Sequence, residues 1–258
     1  MSSSPAPSGG RIKEPQTLVA EATSLLAHDL NNQLALLLAN HEFLDESLRE
    51  IEGLDPEIVD TLSITQASLQ HMMALVRNIT DIARMEDPGV RATPVATDVT
   101  RLVRGVMREH RPLHDRGAVQ IQVDCPDVLR AEIDPLLLKR ITHNMVANAR
   151  RFVDKGGKVR VSVLVSDAEA TAGASAGRPG GLVLVLSVAN SGPGIPPERR
   201  DNLFEKYRVS ADGRVSRGMG LYFCRLACEA HGGTLALSED ADFTTIFTAR
   251  LPAGHRAA

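Results

Sequence analysis

Between about residues 14 and 52 the apolar positions recur on a helical period. Leu26, Leu30, Leu37, Leu44, Leu48 and Ile51 are separated by 4, 7, 7, 4 and 3 residues, a heptad-like stripe. Leu34, Leu38 and Phe43 add a second apolar strip, more than one neighbouring helix can cover. The pattern breaks at Asp55-Pro56-Glu57, a helix start with Asp as N-cap, Pro in the first helical position and an acid in the first turn. A second helix follows with Leu62, Leu69, Met73, Val76, Ile79 and Ala83, and it stops at Asp87-Pro88. Two helices alone cannot enclose these stripes, so residues 14–88 are expected to form a helical hairpin that pairs with a second copy as a homodimeric four-helix bundle.

After Pro94 the texture changes. The patterns predict a helix at about 98–114, strands at 119–124 and 128–133, and a helix at 134–153. Strands at 158–167 and 182–189 follow, then a short helix near 197–207, a longer one at 219–231 and a closing pair of strands within 234–250. Thr171 to Gly181, rich in Gly, Ala and Ser, reads as a flexible hairpin loop. The class is therefore α+β: a hairpin over 14–88, a linker over 89–97, and an α/β domain over 98–254 whose mostly antiparallel or mixed sheet is covered by helices.

Composition narrows the function classes. The chain has 258 residues, 43% hydrophobic and 24% charged, with 3% aromatic and no Trp. So few aromatic rings argue against stacking on nucleic-acid bases, and a net charge of −3 brings no attraction to DNA or an anionic membrane. No apolar run approaches the roughly 18–20 residues that cross a bilayer. Residues 1–13 begin Met1-Ser-Ser-Ser-Pro-Ala-Pro and read as a disordered lead-in without a secretory core. Cys125, Cys224 and Cys228 lack a framework spacing and read as reduced thiols, so a cytoplasmic protein is expected.

Candidate chemistry begins at Asp134-Pro135, which caps and starts the helix carrying Asn144 and Asn148. Their i, i+4 spacing puts both carboxamides on one face, where a neutral oxygen can ligate Mg²⁺ without repelling a triphosphate. Arg151 and Phe152, one turn on, offer a cation for phosphate and an apolar plane for a base. Two glycine-rich loops follow. In Asn190-Ser-Gly192-Pro-Gly194-Ile195-Pro, directly after an apolar strand, the glycines permit close backbone approach. Arg217-Gly218-Met219-Gly220-Leu221 opens the next helix, whose amino end suits a phosphate. Either glycine pair alone is often only a turn; the three elements in this order indicate a nucleotide site.

These blocks resemble the N, G1 and G2 boxes of sensor histidine kinases of two-component systems, with Leu203-Phe-Glu-Lys-Tyr207 as an F-like box. The stretch after Gly220, to Gly233, and the strand Phe243 to Pro252 continue the likeness, which spans about residues 14–252. The resemblance implies a Bergerat-type α/β-sandwich ATP-binding domain, a mobile lid between Gly194 and Gly218, contacts to ATP from the residues named and from Thr245, and Mg²⁺ held through Asn148. Two positions depart from the family. Asn190 stands where Asp usually accepts from the adenine amino group, which removes a charge from that contact, and Ser216 replaces a usual Gly in the lid. Related chaperone and DNA-repair ATPases carry a water-activating Glu at the position of Asn144; an amide cannot be that base, so transfer to a protein group is favoured over hydrolysis.

Among the eight histidines, His28 stands apart. It is two residues from Leu26 and from Leu30, roughly 200° around the helix from each, and so should face solvent. Asp29 can orient one ring nitrogen and leave the other nucleophilic, and Asn32 lies one turn along, placed to position a water. The run resembles the family's phosphoacceptor box, with Gln33 where Pro is common, so the helix should stay straighter there. His110 and His114 are i, i+4 without an evident third metal ligand, His231 reads as a helix cap, and His41, His71, His143 and His255 show no chemical neighbours. The resemblance implies a cytoplasmic, homodimeric histidine kinase that autophosphorylates His28 from ATP and passes the phosphoryl group to a response-regulator aspartate, with possible reversal as a phosphatase. The alternative is a histidine phosphotransfer protein with a degenerate ATP-binding domain. With so few residues before the first helix, the input signal is expected from a separate sensor protein, from the dimer helices themselves or from a region beyond this chain, and neither nucleic acid nor membrane insertion is expected.

Overall fold

A computed structural model describes residues 15–49, 51, 53–86, 90–110, 119–167, 181–206 and 219–255. The expected lead-in over 1–13, the expected loop up to residue 180, and His114, Tyr207, Ser216, Arg217 and Gly218 lie outside the described residues. The chain divides into two compact units, one reaching to Arg84 and one running from Met85 onward.

The first unit consists of α1 (Pro15–Arg49) and α2 (Pro56–Met85). Gly53, with φ +79°, supplies the left-handed residue of the reversal. Asp55 starts α2 as its sequence suggested: its Oδ1 accepts the N–H of Glu57 at 2.9 Å, and its carbonyl accepts that of Ile58 at 2.9 Å. Along α1 the buried and half-buried positions are Ala27, Asn31, Leu34, Leu38, His41, Asp45 and Leu48, a strict 4-3-4-3-4-3 spacing. His41 Nε2 donates to the carbonyl of Leu62 at 2.8 Å, linking α1 to α2 along this line. The stripe most prominent in the sequence lies elsewhere: Leu26, Leu30, Leu37, Leu44 and Ile51 are each more than half exposed, and so is Phe43 of the second strip. Leu34 and Leu38 thus belong to the hairpin's own seam, and the Leu26–Ile51 stripe is uncovered in the single chain.

The second unit begins with β1 (Val95–Asp98), α3 (Val99–Glu109), β2 (Gln120–Asp124), β3 (Arg130–Ile133), α4 (Pro135–Phe152), β4 (Lys158–Asp167) and β5 (Gly181–Asn190). It continues with α5 (Pro197–Arg200), α6 (Met219–Ala230), β6 (Thr234–Ser238) and β7 (Thr245–His255). Five strands form one mixed sheet in the order β2-β4-β5-β7-β6, parallel only between β2 and β4, and β1 pairs with β3 in a separate antiparallel ribbon. α4 packs against β5, α3 and α6, giving a layer of helices on a layer of sheet. Val99, Val103 and Val106 of α3 and Leu138, Ile141 and Met145 of α4 have no solvent exposure. Leu184, Leu186, Val188, Phe247 and Leu251 of the sheet layer are equally enclosed. Each such side chain contributes about 1.5–3 kcal/mol relative to leaving it in water.

Local chemistry sets the helix ends. Asp134 accepts the N–H groups of Leu136 and Leu137 at 3.0 and 3.1 Å, with Pro135 in the first turn, as read from the sequence. α6 ends in a Schellman turn: Gly232, at φ +72°, donates to Glu229 and Gly233 donates to Cys228, both at 2.8 Å. His231 caps that end: its Nδ1 lies 2.8 Å from the Ala227 carbonyl, while its Nε2 accepts the N–H of Asp134 at 3.3 Å. The ring therefore joins the end of α6 to the start of α4, and burial holds its pKa below the ordinary value.

Several boundaries differ from the periodic reading. β1 falls on the expected linker, because four residues with one buried side chain carry too little alternation to register. β3 starts at Arg130 rather than 128, since Val128 is exposed and the Leu129 carbonyl accepts the N–H of Val99 instead. The short helix stops at Arg200, giving way to i−3 turns in which Leu203 donates to Arg200 and Glu205 to Asn202. β7 runs on to His255, past Pro252, opposite a bulge at the start of β5.

Candidate functional site

In the second unit a polar cluster is built where β5, α4 and α6 converge. Leu184, Leu186, Val188 and Asn190 alternate along β5 onto one enclosed face, so Asn190, 1% exposed, continues an apolar row and ends it with a carboxamide. Its Nδ2 is buried and has no hydrogen-bond partner among the described residues. Thr245, 3% exposed, lies opposite Asn190 in the β5–β7 ladder. The hydroxyl of Thr244 donates to the backbone carbonyls of Asn190, at 3.3 Å, and of Gly192.

Gly192 cannot be another residue without rearrangement: a β-carbon there would fall 1.8 Å from the Phe152 carbonyl oxygen at the end of α4. On α4, Asn144 and Asn148 are half-buried. Gly220, in the first turn of α6, approaches so closely that a β-carbon there would sit 3.0 Å from Asn144 Oδ1. Met219 and Leu221 flank it and point into the core at 8% and 6% exposure. Phe152 is 42% exposed, with the Arg151 guanidinium 5.7 Å from its ring centre. The structure thus brings Phe152, Asn190, Gly192 and Thr245 together at the end of α4 and sets Gly220 against Asn144 about two turns earlier, with Asn148 between them along the helix. Gly194 is exposed and Ile195 half-exposed on the loop beyond.

Residues that the sequence did not single out hold this arrangement. Arg200 donates from Nε to the Ile195 carbonyl at 2.8 Å and pairs with Glu239 at 2.8 Å, pinning the glycine loop from outside. Ser191 Oγ accepts the N–H of Lys158 at 2.8 Å. Glu86 receives the Tyr222 hydroxyl at 2.8 Å and the Lys206 ammonium at 2.6 Å, linking the first turns of α6 to Lys206. Only Thr244 had a local signal, its adjacency to Thr245.

The donor set fits what the resemblance implied. A buried, unpartnered amide calls for a polar edge of a ligand. The carboxamide oxygen of Asn148 is the hard, uncharged ligand type that Mg²⁺ accepts.

The first unit carries the histidine. His28 is 72% and Asp29 82% exposed, as the helical geometry required. Nδ1 of His28 lies 3.4 Å from Asp29 Oδ1 and 3.3 Å from Asn32 Nδ2. Both contacts engage the same nitrogen, and Nε2 has no hydrogen-bond partner among the described residues. The two contacts compete: with its proton on Nδ1 the ring donates to Asp29 and keeps a lone pair on Nε2, whereas accepting from Asn32 requires the opposite tautomer.

Other histidines and cysteines of the described residues hold the fold together, and two of them correct the sequence reading. His143, thought to lack neighbours, has Nδ1 3.0 Å from His110 Nε2 and Nε2 3.0 Å from Glu109, which also binds Lys139 at 2.8 Å. This chain ties α3 to α4; burial lowers the His143 pKa, and the Lys139 hydrogen bond lowers that of Glu109. His41 likewise has its bond to Leu62. No group of three or more potential metal ligands occurs among the described residues. Burial raises the Cys224 thiol and pushes that of Cys228 up to about 12, so both are inert at neutral pH.

A layered sheet with an amide pair on its central helix and glycine-lined approaches defines a nucleotide-binding fold, and known proteins agree. Residues 133–255 match the family described as histidine kinase-, DNA gyrase B-, and HSP90-like ATPase, and this part of the chain belongs to it. Over nearly its whole length the chain is similar to sensor histidine kinases, which bears out the likeness read from its motifs. It is 22% identical over 94% of its length to the sensor histidine kinase TmoS of Ectopseudomonas mendocina, and 30% identical over 89% to a bacteriophytochrome of Pseudomonas aeruginosa. It spans only 24% and 29% of those two relatives. Among solved structures, full-length ShkA in complex with AMPPNP covers 93% of the chain with a TM-score of 0.64 at 22% identity; the chain covers 47% of that protein. Acinetobacter baumannii histidine kinase AdeS covers 88%, with a TM-score of 0.55 at 20% identity, and the chain covers 98% of it. Among the described residues no helix is long and apolar enough to cross a membrane.

Proposed function

We propose that this chain is the kinase core of a two-component system: the second unit binds ATP, and His28 of the first accepts its γ-phosphoryl group. Asn190 and Thr245 would meet the base, Phe152 its face, and Arg151, Gly192, Gly194, Ile195 and the Arg217–Leu221 turn the ribose and phosphates. Asn148, with Asn144 beside it, would hold Mg²⁺, which when bound neutralises phosphate charge. The observation that carries the reading is the His28 ring, with Nδ1 turned to Asp29 and Nε2 open to a phosphorus. In the step, the Nε2 lone pair bonds to the γ-phosphorus, the bond to the bridging oxygen breaks, and ADP leaves. Asp29 meets the positive charge that develops on the ring through the Nδ1 proton.

The receiving partner is a response-regulator receiver aspartate, and the exposed Leu26–Ile51 stripe is the face for a second copy, completing a four-helix bundle. Asn32, one turn from His28, would position water for dephosphorylating the regulator. Incubation with γ-labelled ATP and Mg²⁺ should give acid-labile, base-stable label that His28→Ala abolishes; label persisting in that variant would exclude His28. Asn32→Ala should keep autophosphorylation and lose phosphatase activity, and an unchanged phosphatase rate removes that role. A second reading, a histidine phosphotransfer protein that no longer turns over ATP, is favoured by Asn190, where a carboxylate is usual, and by Ser216, where Gly is usual; calorimetry with ATP and Mg²⁺ separates the two.

A further inference from the structure

We propose that Asn190 widens the base specificity of this pocket, so that it takes 6-oxopurine nucleoside triphosphates alongside ATP. The inference rests on the nucleotide pocket proposed above. Asn190 closes the enclosed row Leu184, Leu186, Val188 and is itself 1% exposed, so any ligand polar group reaching it does so without water. Its Nδ2 has no partner among the described residues. The Thr244 hydroxyl bonds to the backbone carbonyl of Asn190 and not to the amide. Nothing described therefore holds the carboxamide in one orientation. Gly192 contributes space: a β-carbon at that position would come within 3.0 Å of Nδ2.

The chemistry of the two purine edges decides the rest. A 6-aminopurine presents a donor at C6 and an acceptor at N1; a 6-oxopurine presents an acceptor at C6 and a donor at N1. A carboxylate only accepts, so set opposite C6 it takes the amino group of the first edge and repels the carbonyl of the second. A carboxamide carries one donor and one acceptor side by side, and a half-turn about its last bond exchanges them. Asn190 can thus complement either edge with the same two atoms, and no existing hydrogen bond is broken by the turn.

The test is displacement of a fluorescent ATP analogue from the full chain by ATP and by ITP, with Mg²⁺. ITP lacks the 2-amino group of guanine, so it probes only the edge that Asn190 would read. ITP binding within about tenfold of ATP is expected, and Asn190→Asp should increase the preference for ATP by about a hundredfold. ITP binding more than tenfold weaker than ATP, or an unaltered ratio in a folded Asn190→Asp protein, overturns the proposal while leaving the ATP pocket standing. Should the variant fail to fold, the ATP-to-ITP ratio of the parent chain decides alone. If neither nucleotide displaces the analogue, this inference and the nucleotide reading fall together.

Discussion

Leu26, Leu30, Leu37 and Leu44 of α1 are between 51% and 65% exposed, whereas Leu184, Leu186, Phe247 and Leu251 of the sheet unit show no exposure at all. Chemistry divides along the same line. The polar group that matters in the sheet unit, Asn190, is walled in among apolar neighbours, while His28 and Asp29 stand in water. The sheet unit completes its own core and encloses the carboxamide of Asn190. The hairpin keeps its imidazole and its apolar stripe outside, as the proposed roles require: a second copy along the stripe, and phosphoryl donors and acceptors at the ring.

The sharpest way to break this contrast is to disturb the enclosed side. In Gly192→Ala the new methyl would lie 1.8 Å from the Phe152 carbonyl, so α4 or the glycine loop must move. We expect the sheet unit to lose about 3 kcal/mol or more, seen in thermal melts, and nucleotide binding to vanish in calorimetry. Binding with unaltered affinity would show that the approach of this loop to α4 is dispensable. On the open side, Leu37→Glu with Leu44→Glu should leave nucleotide affinity unchanged and convert a dimer to a monomer in sedimentation equilibrium. A parent chain monomeric at every concentration would mean that the stripe serves something other than a second copy.

The smallest effect expected is a pH dependence confined to the sheet unit. His231 and His143 are held neutral there by burial, with folded pKa values below the ordinary value of about 6.5. Above that value neither state binds the proton and stability is complete. As pH falls below it, the unfolded chain takes up protons that the folded chain resists, and stability declines until the folded pKa values are passed. Melting temperatures from pH 7.5 down to 5 should therefore fall, and His231→Gln should flatten the slope. A melting temperature that does not change over this range would contradict the assigned burial.

Much of this was legible in the sequence because the signals are local. Asp134-Pro135 and Asp55-Pro56 announce helix starts by side-chain capping within three residues, and the i, i+4 pair Asn144 and Asn148 needs only a helix to share a face. What stayed hidden depends on distant partners. The Glu109–His143 pair joins positions 34 apart, and Arg200 finds Glu239 across 39. The seam of the hairpin was obscured for a different reason. Asn31, His41 and Asp45 interrupt it, so a search for apolar residues ranked the uncovered stripe above the line on which the two helices meet. A heptad period identifies both faces and cannot say which one the chain covers by itself.

The central claim is that Nε2 of His28 receives phosphorus from ATP, and phosphorus NMR of the chain after incubation with ATP and Mg²⁺ tests it most directly. The geometry at Nδ1, occupied by Asp29 and Asn32, predicts a single phosphohistidine resonance of the Nε2 isomer, absent in His28→Ala. A resonance of the Nδ1 isomer, or phosphorus on any other residue, would contradict the account.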